Sequence, residues 1–167
     1  MRVVAIIQAR MGSTRFPKKV MKLINTIPMI EVLLSRISQS KLLDEIVVAT
    51  TNHMIDRELA RYIRNLGYAC VQGSEKDVLD RYLEAAQKHS ANVVVRITGD
   101  CPLVDPELVD ICVDKFFESE VDYCSNICPA TFPDGLDIEV FTFDALMKSK
   151  NESSSKFDHE HVTPYLR

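Results

Sequence analysis

Four cations lie close together near the amino terminus of a chain that is acidic overall. Arg10, Arg15, Lys18 and Lys19 fall within residues 8–19, a segment that contains no acid, although the formal net charge of the chain is -4. The segment also contains glycine, serine and threonine, whose backbone N–H groups can cradle phosphate oxygens while arginine pairs with them in bidentate fashion. We therefore predict a phosphate-binding loop that uses Arg10, Arg15 and Lys19; a solvated basic loop is the alternative.

This loop is neither of the two common phosphate-binding loops. The pattern G-x-x-x-x-G-K-[ST] is absent from the chain, and so is G-x-G-x-x-G. Their absence weighs against both a P-loop NTPase and a dinucleotide dehydrogenase.

A second candidate is the carboxylate of Asp100, which follows the apolar stretch at residues 92–98 and stands between Gly99 and Cys101. A hard divalent cation that bridges phosphates needs one or two such carboxylates, with water completing its coordination. Asp100 is therefore the predicted metal ligand, and an aspartate that merely caps a turn is the alternative.

Two further segments contain polar side chains that allow both a structural and a ligand-binding interpretation. Ser74 is predicted to cap a helix, with Asp77 completing a capping box, which leaves Gly73 and Arg81 free to face a base or a ribose. Farther along, three carboxylates could bind the hydroxyl groups of a sugar or a second metal ion, or could simply be solvated: Asp134, Asp137 and Glu139. Asp137 and Glu139 are two residues apart, so an extended chain would place them on one face.

The elements that must position these residues alternate along the chain. Short runs rich in β-branched residues occur at 3–7, 45–49, 68–71 and 92–98, and segments with helical periodicity separate them. This alternation predicts an α/β fold of the Rossmann-like kind, with a mostly parallel sheet flanked by helices. Ligands of such sheets bind beyond the carboxyl ends of the strands, which is where the candidate residues fall.

Composition narrows the class of protein further. A chain of 167 residues, 46% hydrophobic and 26% charged, predicts one globular domain. Five cysteines without a C-x-x-C pattern indicate reduced thiols, and a pI near 5.6 argues against a nucleic-acid partner. Because no apolar run approaches the roughly 20 residues that span a bilayer, we expect a cytoplasmic protein without a membrane partner.

Five segments, taken together and in order, closely resemble the spore-coat polysaccharide biosynthesis cytidylyltransferases. They are Gln8-Ala9-Arg10-x-Gly12-Ser13-x-Arg15-x-Pro17-x-Lys19, Gly73-Ser74-Glu75-x-Asp77-Val78-Leu79, Gly99-Asp100-Cys101-Pro102-Leu103, Phe132-Pro133-Asp134-Gly135-Leu136-Asp137 and Glu160-His161-Val162-Thr163-Pro164. The first and third segments are also similar, more distantly, to those of acylneuraminate and 3-deoxy-manno-octulosonate cytidylyltransferases. The resemblance covers essentially the whole chain.

The resemblance implies a nucleotide-diphospho-sugar transferase fold that uses CTP with Mg²⁺. Arg10, Arg15 and Lys19 match phosphate-binding positions of the family, and Asp100 matches its metal-binding aspartate. The expected nucleotide-binding residues are Gln8, Ala9, Gly12, Ser13, Gly73, Ser74, Arg81, Thr98 and Gly99. Two departures stand out: Lys18 replaces a glycine that is usual in the family, and the family's second metal-binding aspartate lies in a later strand and helix. We expect residues 1–167 to form a single nucleotidyltransferase domain without that strand and helix. Either the chain is a truncated form, or Asp137 or Glu139 serves as the second metal ligand instead.

The function expected from these features is transfer of CMP from CTP to an acidic or amino sugar, with release of pyrophosphate, in the biosynthesis of cell-surface polysaccharide. Two alternatives remain open. A glycosyltransferase of the same fold would commonly carry an Asp-x-Asp motif, and this chain has none. A non-catalytic nucleotide-binding module would bind CTP without turnover. The sequence leaves the oligomeric state open, with a homodimer as one arrangement.

Overall fold

The chain alternates between strands and helices, as a computed structural model shows for residues 1–13 and 16–167. The strands are β1 (Val3–Gln8), β2 (Leu23–Ile24), β3 (Ile27–Pro28), β4 (Glu45–Thr51), β5 (Ala69–Gly73), β6 (Val93–Thr98), β7 (Tyr123–Ser125) and β8 (Glu139–Thr142). The helices are α1 (Met29–Ile37), α2 (Asp56–Asn65), α3 (Val78–Lys88), α4 (Pro106–Glu118), α5 (Phe143–Glu152) and α6 (Lys156–His161), with short 3-10 helices at Lys19–Met21 and Pro164–Leu166.

Six of these strands form one sheet in the order β5-β4-β1-β6-β8-β7. The first four in that order are parallel, whereas β8 runs antiparallel to both β6 and β7. The α/β prediction is therefore confirmed. Because β8 is reversed, its amino end lies at the carboxyl end of β6, so the residues that precede β8 reach the edge where ligands of parallel sheets bind.

Two layers of helices cover the two faces of the sheet. One face packs against buried residues of α1, α2 and α4, among them Leu33, Leu59 and Val109. The other face packs against α3 and α5, where Tyr82 and Leu146 are fully buried. Side chains of β1 alternate between these layers, which explains its uninterrupted β-branched sequence.

The predicted ends of two helices are confirmed, and a third is corrected. Asp105 caps α4 by accepting a hydrogen bond from the backbone N–H of Glu107, and Gly67 follows α2 with a φ of 89°. The N-cap of α3, however, is Asp77, which accepts from the backbone N–H of Asp80 at 2.8 Å. Ser74 instead accepts from the N–H of Asp77 at 3.0 Å, so the predicted capping box is wrong.

All five cysteines are free thiols, of which Cys101 and Cys112 are buried. No helix in the described part of the chain is both long enough and apolar enough to cross a membrane.

Candidate active site

The site is built where the two central strands end side by side. Gln8 closes β1 and Thr98 closes β6, and the two residues are paired in the parallel register. Immediately beyond them the backbone N–H of Gly99 donates to the carbonyl of Gln8 at 2.8 Å. A Cβ at position 99 would lie 2.8 Å from that carbonyl oxygen and 2.9 Å from the Cβ of Ala9, so this close approach requires glycine.

A buried aspartate anchors the start of the first loop. The backbone N–H of Met11 donates to Asp56 at 2.6 Å, and the hydroxyl of Thr51 donates to the other oxygen of the same carboxylate. Asp56 is only 1% exposed, and its role was not predicted from the sequence. The loop holds Gly12 and Ser13 at its described end, whereas Arg15 lies outside the described residues.

The loop resumes in a conformation that suits glycine. Lys18 has a φ of 56°, in the left-handed region that glycine adopts without strain. This geometry is compatible with the glycine that the family resemblance leads us to expect at this position. The backbone N–H of Lys18 donates back to Met11 at 2.9 Å and so closes the loop.

The structure joins the two strongest sequence candidates directly. The Nζ of Lys19 lies 2.7 Å from Oδ2 of Asp100, although the residues are 81 positions apart. Burial alone would raise the pKa of Asp100, but hydrogen bonds from Lys19 and Thr98 hold this pKa below its ordinary value. Asp100 is therefore an anion at neutral pH, and about half of its side chain remains exposed.

One cavity, with a volume of about 540 Å³, opens on the α3 side of these strand ends. Its lining residues are Gln8, Ala9, Arg10, Glu75, Lys76, Val78, Arg81, Glu160 and His161. We call it the nucleotide cavity because Gln8, Ala9 and Arg81, which were predicted to bind a nucleotide, line it. It brings together residues predicted from the first loop and from α3, and it adds Glu160 and His161, which the sequence placed only within a segment of the family resemblance.

Arg81 is the most deeply buried cation of the nucleotide cavity, with 2% of its surface exposed. It donates to the carbonyl oxygen of Ser74 at 2.6 Å, whereas its Nε has no partner. Burial lowers its pKa. The unpartnered Nε is itself buried, so Arg81 contributes a buried positive charge to the cavity wall at some cost in stability.

The far wall of this cavity depends on a cluster around Asp77. Its Oδ2 lies 2.7 Å from the Nζ of Lys150 in α5 and 2.8 Å from Nδ1 of His159 in α6. After His161 the chain turns sharply at Val162, a buried β-branched residue with a φ of 72°. Such a conformation is strained and persists only where the surroundings enforce it. Through His159, Asp77 thus holds α6, the helix that carries Glu160 and His161.

A second cavity, of about 730 Å³, opens beside Asp100. Its lining residues are Thr98, Asp100, Cys101, Pro102, Leu103, Pro133, Asp134, Gly135, Leu136 and Asp137. We call it the acceptor cavity because Asp134 and Asp137, which were predicted to bind a sugar, line it. Its described lining includes three carboxylates and no basic side chain. Burial raises the pKa of Asp137, and the neighbouring carboxylates of Asp134 and Glu139 raise it further.

Glu139 does not line either cavity, which corrects the expectation that it binds a sugar or a second metal. Strand β8 begins at Glu139 and not earlier in the chain, as the extended stretch had suggested. The side chain of Glu139 lies within the sheet, where it forms an ion pair with Arg96. Its other oxygen accepts hydrogen bonds from Tyr123 at 2.7 Å and Arg167 at 3.1 Å. Only 2% of the Glu139 side chain is exposed, and both of its carboxylate oxygens already have partners within the protein.

The remaining carboxylates fit a magnesium ion better than a closed metal site. Nowhere in residues 1–13 and 16–167 do three His, Cys, Asp or Glu side chains converge as metal ligands. Mg²⁺ is usually held by only one or two carboxylates together with substrate phosphates and water. Asp100, ionised and half exposed, meets that requirement, and it lines the acceptor cavity together with Asp134 and Asp137.

Comparison with known proteins agrees with this arrangement. The family model described as cytidylyltransferase matches residues 4–167. An uncharacterized protein of Methanocaldococcus jannaschii is 44% identical over 99% of this chain and 67% of its own length. The spore coat polysaccharide biosynthesis protein SpsF of Bacillus subtilis is 35% identical over 99% of this chain and 70% of its own.

A solved structure shows the same architecture. A cytidylyltransferase from Leptospira borgpetersenii superposes with a TM-score of 0.95 and 36% identity, covering 99% of this chain and 71% of that one. The predicted nucleotidyltransferase fold is thereby confirmed. Given the family match over residues 4–167, the shared fold and the two cavities at the strand ends, the chain belongs to the cytidylyltransferase family of nucleotidyltransferases.

Proposed function

We propose that this enzyme transfers CMP from CTP to a hydroxyl group of a sugar, with release of pyrophosphate, in the biosynthesis of cell-surface polysaccharide. The observation that carries the proposal is the position of the Lys19–Asp100 pair. Asp100 lines the acceptor cavity just beyond Thr98, and the register partner of Thr98, Gln8, lines the nucleotide cavity. A phosphate group that reaches this pair from one cavity can therefore meet an attacking oxygen from the other.

CTP occupies the nucleotide cavity in this proposal. The lining offers the cations Arg10, Lys76 and Arg81, which complement an anionic ligand. Arg10 pairs only loosely with Glu75, at 3.7 Å, and both side chains are about half exposed. Ligand phosphates can thus replace Glu75 at little cost.

In this reaction the protein forms no covalent bond with either substrate. A sugar oxygen forms a bond to the α-phosphorus of CTP, the bond from that phosphorus to the bridging oxygen breaks, and pyrophosphate leaves with that electron pair. The hydroxyl proton passes to solvent, since we assign no general base. Arg10 and Lys19 orient the phosphates and offset their charge. Mg²⁺ held by Asp100 would add further charge neutralisation at the phosphate oxygens.

The acceptor cavity favours an amino sugar over an acidic one. Carboxylates of Asp134 and Asp137 accept hydrogen bonds from hydroxyl or ammonium groups, but they repel a sugar carboxylate. The distant relatives suggested by the first loop act on acidic sugars, so both classes belong in the test. We expect the amino sugar to give the higher kcat/KM.

The test is pyrophosphate release measured with each of four nucleoside triphosphates against amino, acidic and neutral sugars. We expect turnover with CTP, and a loss of about 100-fold or more in Asp100→Asn, the usual scale for one electrostatic contact to a transition state. Asp144→Asn, an exposed aspartate in α5, is the matched control and should keep full activity. Stabilisation by CTP without pyrophosphate release for any sugar would refute the proposal and indicate a binding module.

A further inference from the structure

The side chain of Gln8 is held in a defined orientation at the edge of the nucleotide cavity. Its Oε1 accepts a hydrogen bond from Nη2 of Arg96 at 3.3 Å. Arg96 lies on the neighbouring strand, β6, and only 12% of its side chain is exposed. Gln8 itself is partly exposed and lines the cavity.

The chemistry of the two groups dictates which end of the amide faces the cavity. A guanidinium carries only donors, so a glutamine beside it must present its carbonyl oxygen rather than its NH₂ group. The NH₂ group of Gln8 is then directed away from Arg96. A glutamine free to flip could offer either an acceptor or a donor, whereas this one offers donors only.

Arg96 is in turn fixed on its other sides. It lies directly opposite Glu139 in the antiparallel register of β6 and β8, and the two side chains form a buried ion pair. The ring of Tyr82 lies 5.9 Å from the guanidinium carbon. Because Glu139 also accepts from Tyr123 and Arg167, it cannot rotate without breaking several buried hydrogen bonds.

We propose that Arg96 and Glu139 are positioning residues that hold Gln8 as a hydrogen-bond donor to an oxygen of bound CTP. The inference rests on the proposed function only in that CTP occupies the nucleotide cavity. The acceptor is an oxygen of the cytosine and ribose part or an oxygen of a phosphate. In either case the buried pair between β6 and β8 acts on nucleotide binding through Gln8.

The competing explanation is that the ion pair only fastens β8 to β6. That explanation predicts that substitutions of Arg96 change stability and leave CTP binding alone. The two explanations separate in a double-mutant cycle, which measures whether two residues act through each other.

The experiment is calorimetric titration of CTP into the wild type, Gln8→Ala, Arg96→Lys and the double variant. Arg96→Lys keeps a cation beside Glu139 but loses the fork that reaches Gln8 as well. We expect each single variant to weaken CTP binding by about 3- to 10-fold, the effect of one ordinary hydrogen bond, and the double variant to bind no more weakly than Gln8→Ala. Gln87→Ala, at the exposed end of α3, is the matched control and should bind as the wild type does.

Gln8→Glu tests the donor role of Gln8 even if Arg96→Lys fails to fold. Its carboxylate can still pair with Arg96 but has no donor, so we expect CTP binding at least as weak as in Gln8→Ala. Titration of CMP and cytidine locates the acceptor: the loss persists with cytidine for an oxygen of the base or ribose, and vanishes for a phosphate oxygen.

Three results would overturn the inference: additive losses in the double variant, wild-type affinity in Gln8→Glu, or a change in melting temperature alone for Arg96→Lys. Failure of the proposed function has a different signature, because the wild type would then release no pyrophosphate with any sugar, whether or not it binds CTP.

Discussion

Replacing Gly99 with alanine tests whether the two central strands must approach each other as closely as they do. The φ of Gly99 is outside the left-handed region, so alanine suits the backbone conformation, and any penalty must be steric. The new Cβ would meet the carbonyl oxygen of Gln8 at 2.8 Å and the Cβ of Ala9 at 2.9 Å. Both contacts are to atoms held by the sheet, which cannot move aside as the end of a flexible side chain would.

The magnitude follows from overpacking at a central position of the sheet. Overpacking costs about 1–3 kcal/mol, and the hydrogen bond from Gly99 to Gln8 must lengthen as well. For a chain of this size each kcal/mol lowers the melting temperature by about 2–4 °C, so we expect a decrease of roughly 2–12 °C. Gly12→Ala is the matched control, since a Cβ at Gly12 meets nothing within 4 Å.

The assay is urea unfolding of the wild type and both variants, followed by circular dichroism. Gly12→Ala should lie within about 0.5 kcal/mol of the wild type. If the free energy of unfolding of Gly99→Ala matches that of Gly12→Ala, the strand ends have room for a side chain, and the steric explanation of Gly99 is wrong.

Three other substitutions probe the site and its supports. Glu139→Ala should lower the free energy of unfolding by roughly 3–5 kcal/mol in a urea titration, because Arg96 is left buried without its partner. Asp134→Ala changes an exposed carboxylate and is the control, so its free energy of unfolding should stay within about 0.5 kcal/mol of the wild type. Asp137→Asn should melt at a higher temperature than the wild type at pH 7, because the raised pKa of Asp137 makes its ionised form unfavourable in the folded state. The difference in melting temperature should disappear in acid, where Asp137 is protonated. A difference that stays constant across pH would contradict this explanation. His159→Asn should lower the free energy of unfolding more at pH 6 than at pH 9, because the hydrogen bond to Asp77 raises the pKa of His159 above 6.5. The stabilising charge of His159 is lost as pH rises through that raised pKa. Equal losses at both pH values would show that the pair does not stabilise the charged form of His159.

Much of the sheet and the centre of the site could be predicted from local sequence. Runs of β-branched residues locate the four parallel strands because both of their faces are buried. The position of Asp100 directly after such a run then places it at the ligand-binding edge, where the structure shows it paired with Lys19. This prediction needed only the direction of the chain and the rule that ligands bind at the carboxyl ends of parallel strands.

The surroundings of the site could not be predicted, because they depend on partners that are distant in sequence. Glu139 looks like a candidate ligand until Arg96, 43 residues earlier, is known to lie opposite it. Asp77 rather than Ser74 caps α3, and its carboxylate is also held by Lys150, 73 residues later. No local pattern reports such contacts. The reversal of β8, which brings Asp134 and Asp137 to the acceptor cavity, is likewise a property of the whole sheet.

The two cavities open on different layers of the molecule, and this separation bears on how such an enzyme can diversify. The wall that faces the nucleotide includes α3 and α6, whereas the wall of the acceptor cavity consists of residues 98–103 and the segment at 133–137 that precedes β8. A substitution in that segment reaches the opposite wall only through the sheet. Substitutions in a single surface segment can therefore change the proposed sugar site while the proposed CTP site keeps its lining residues.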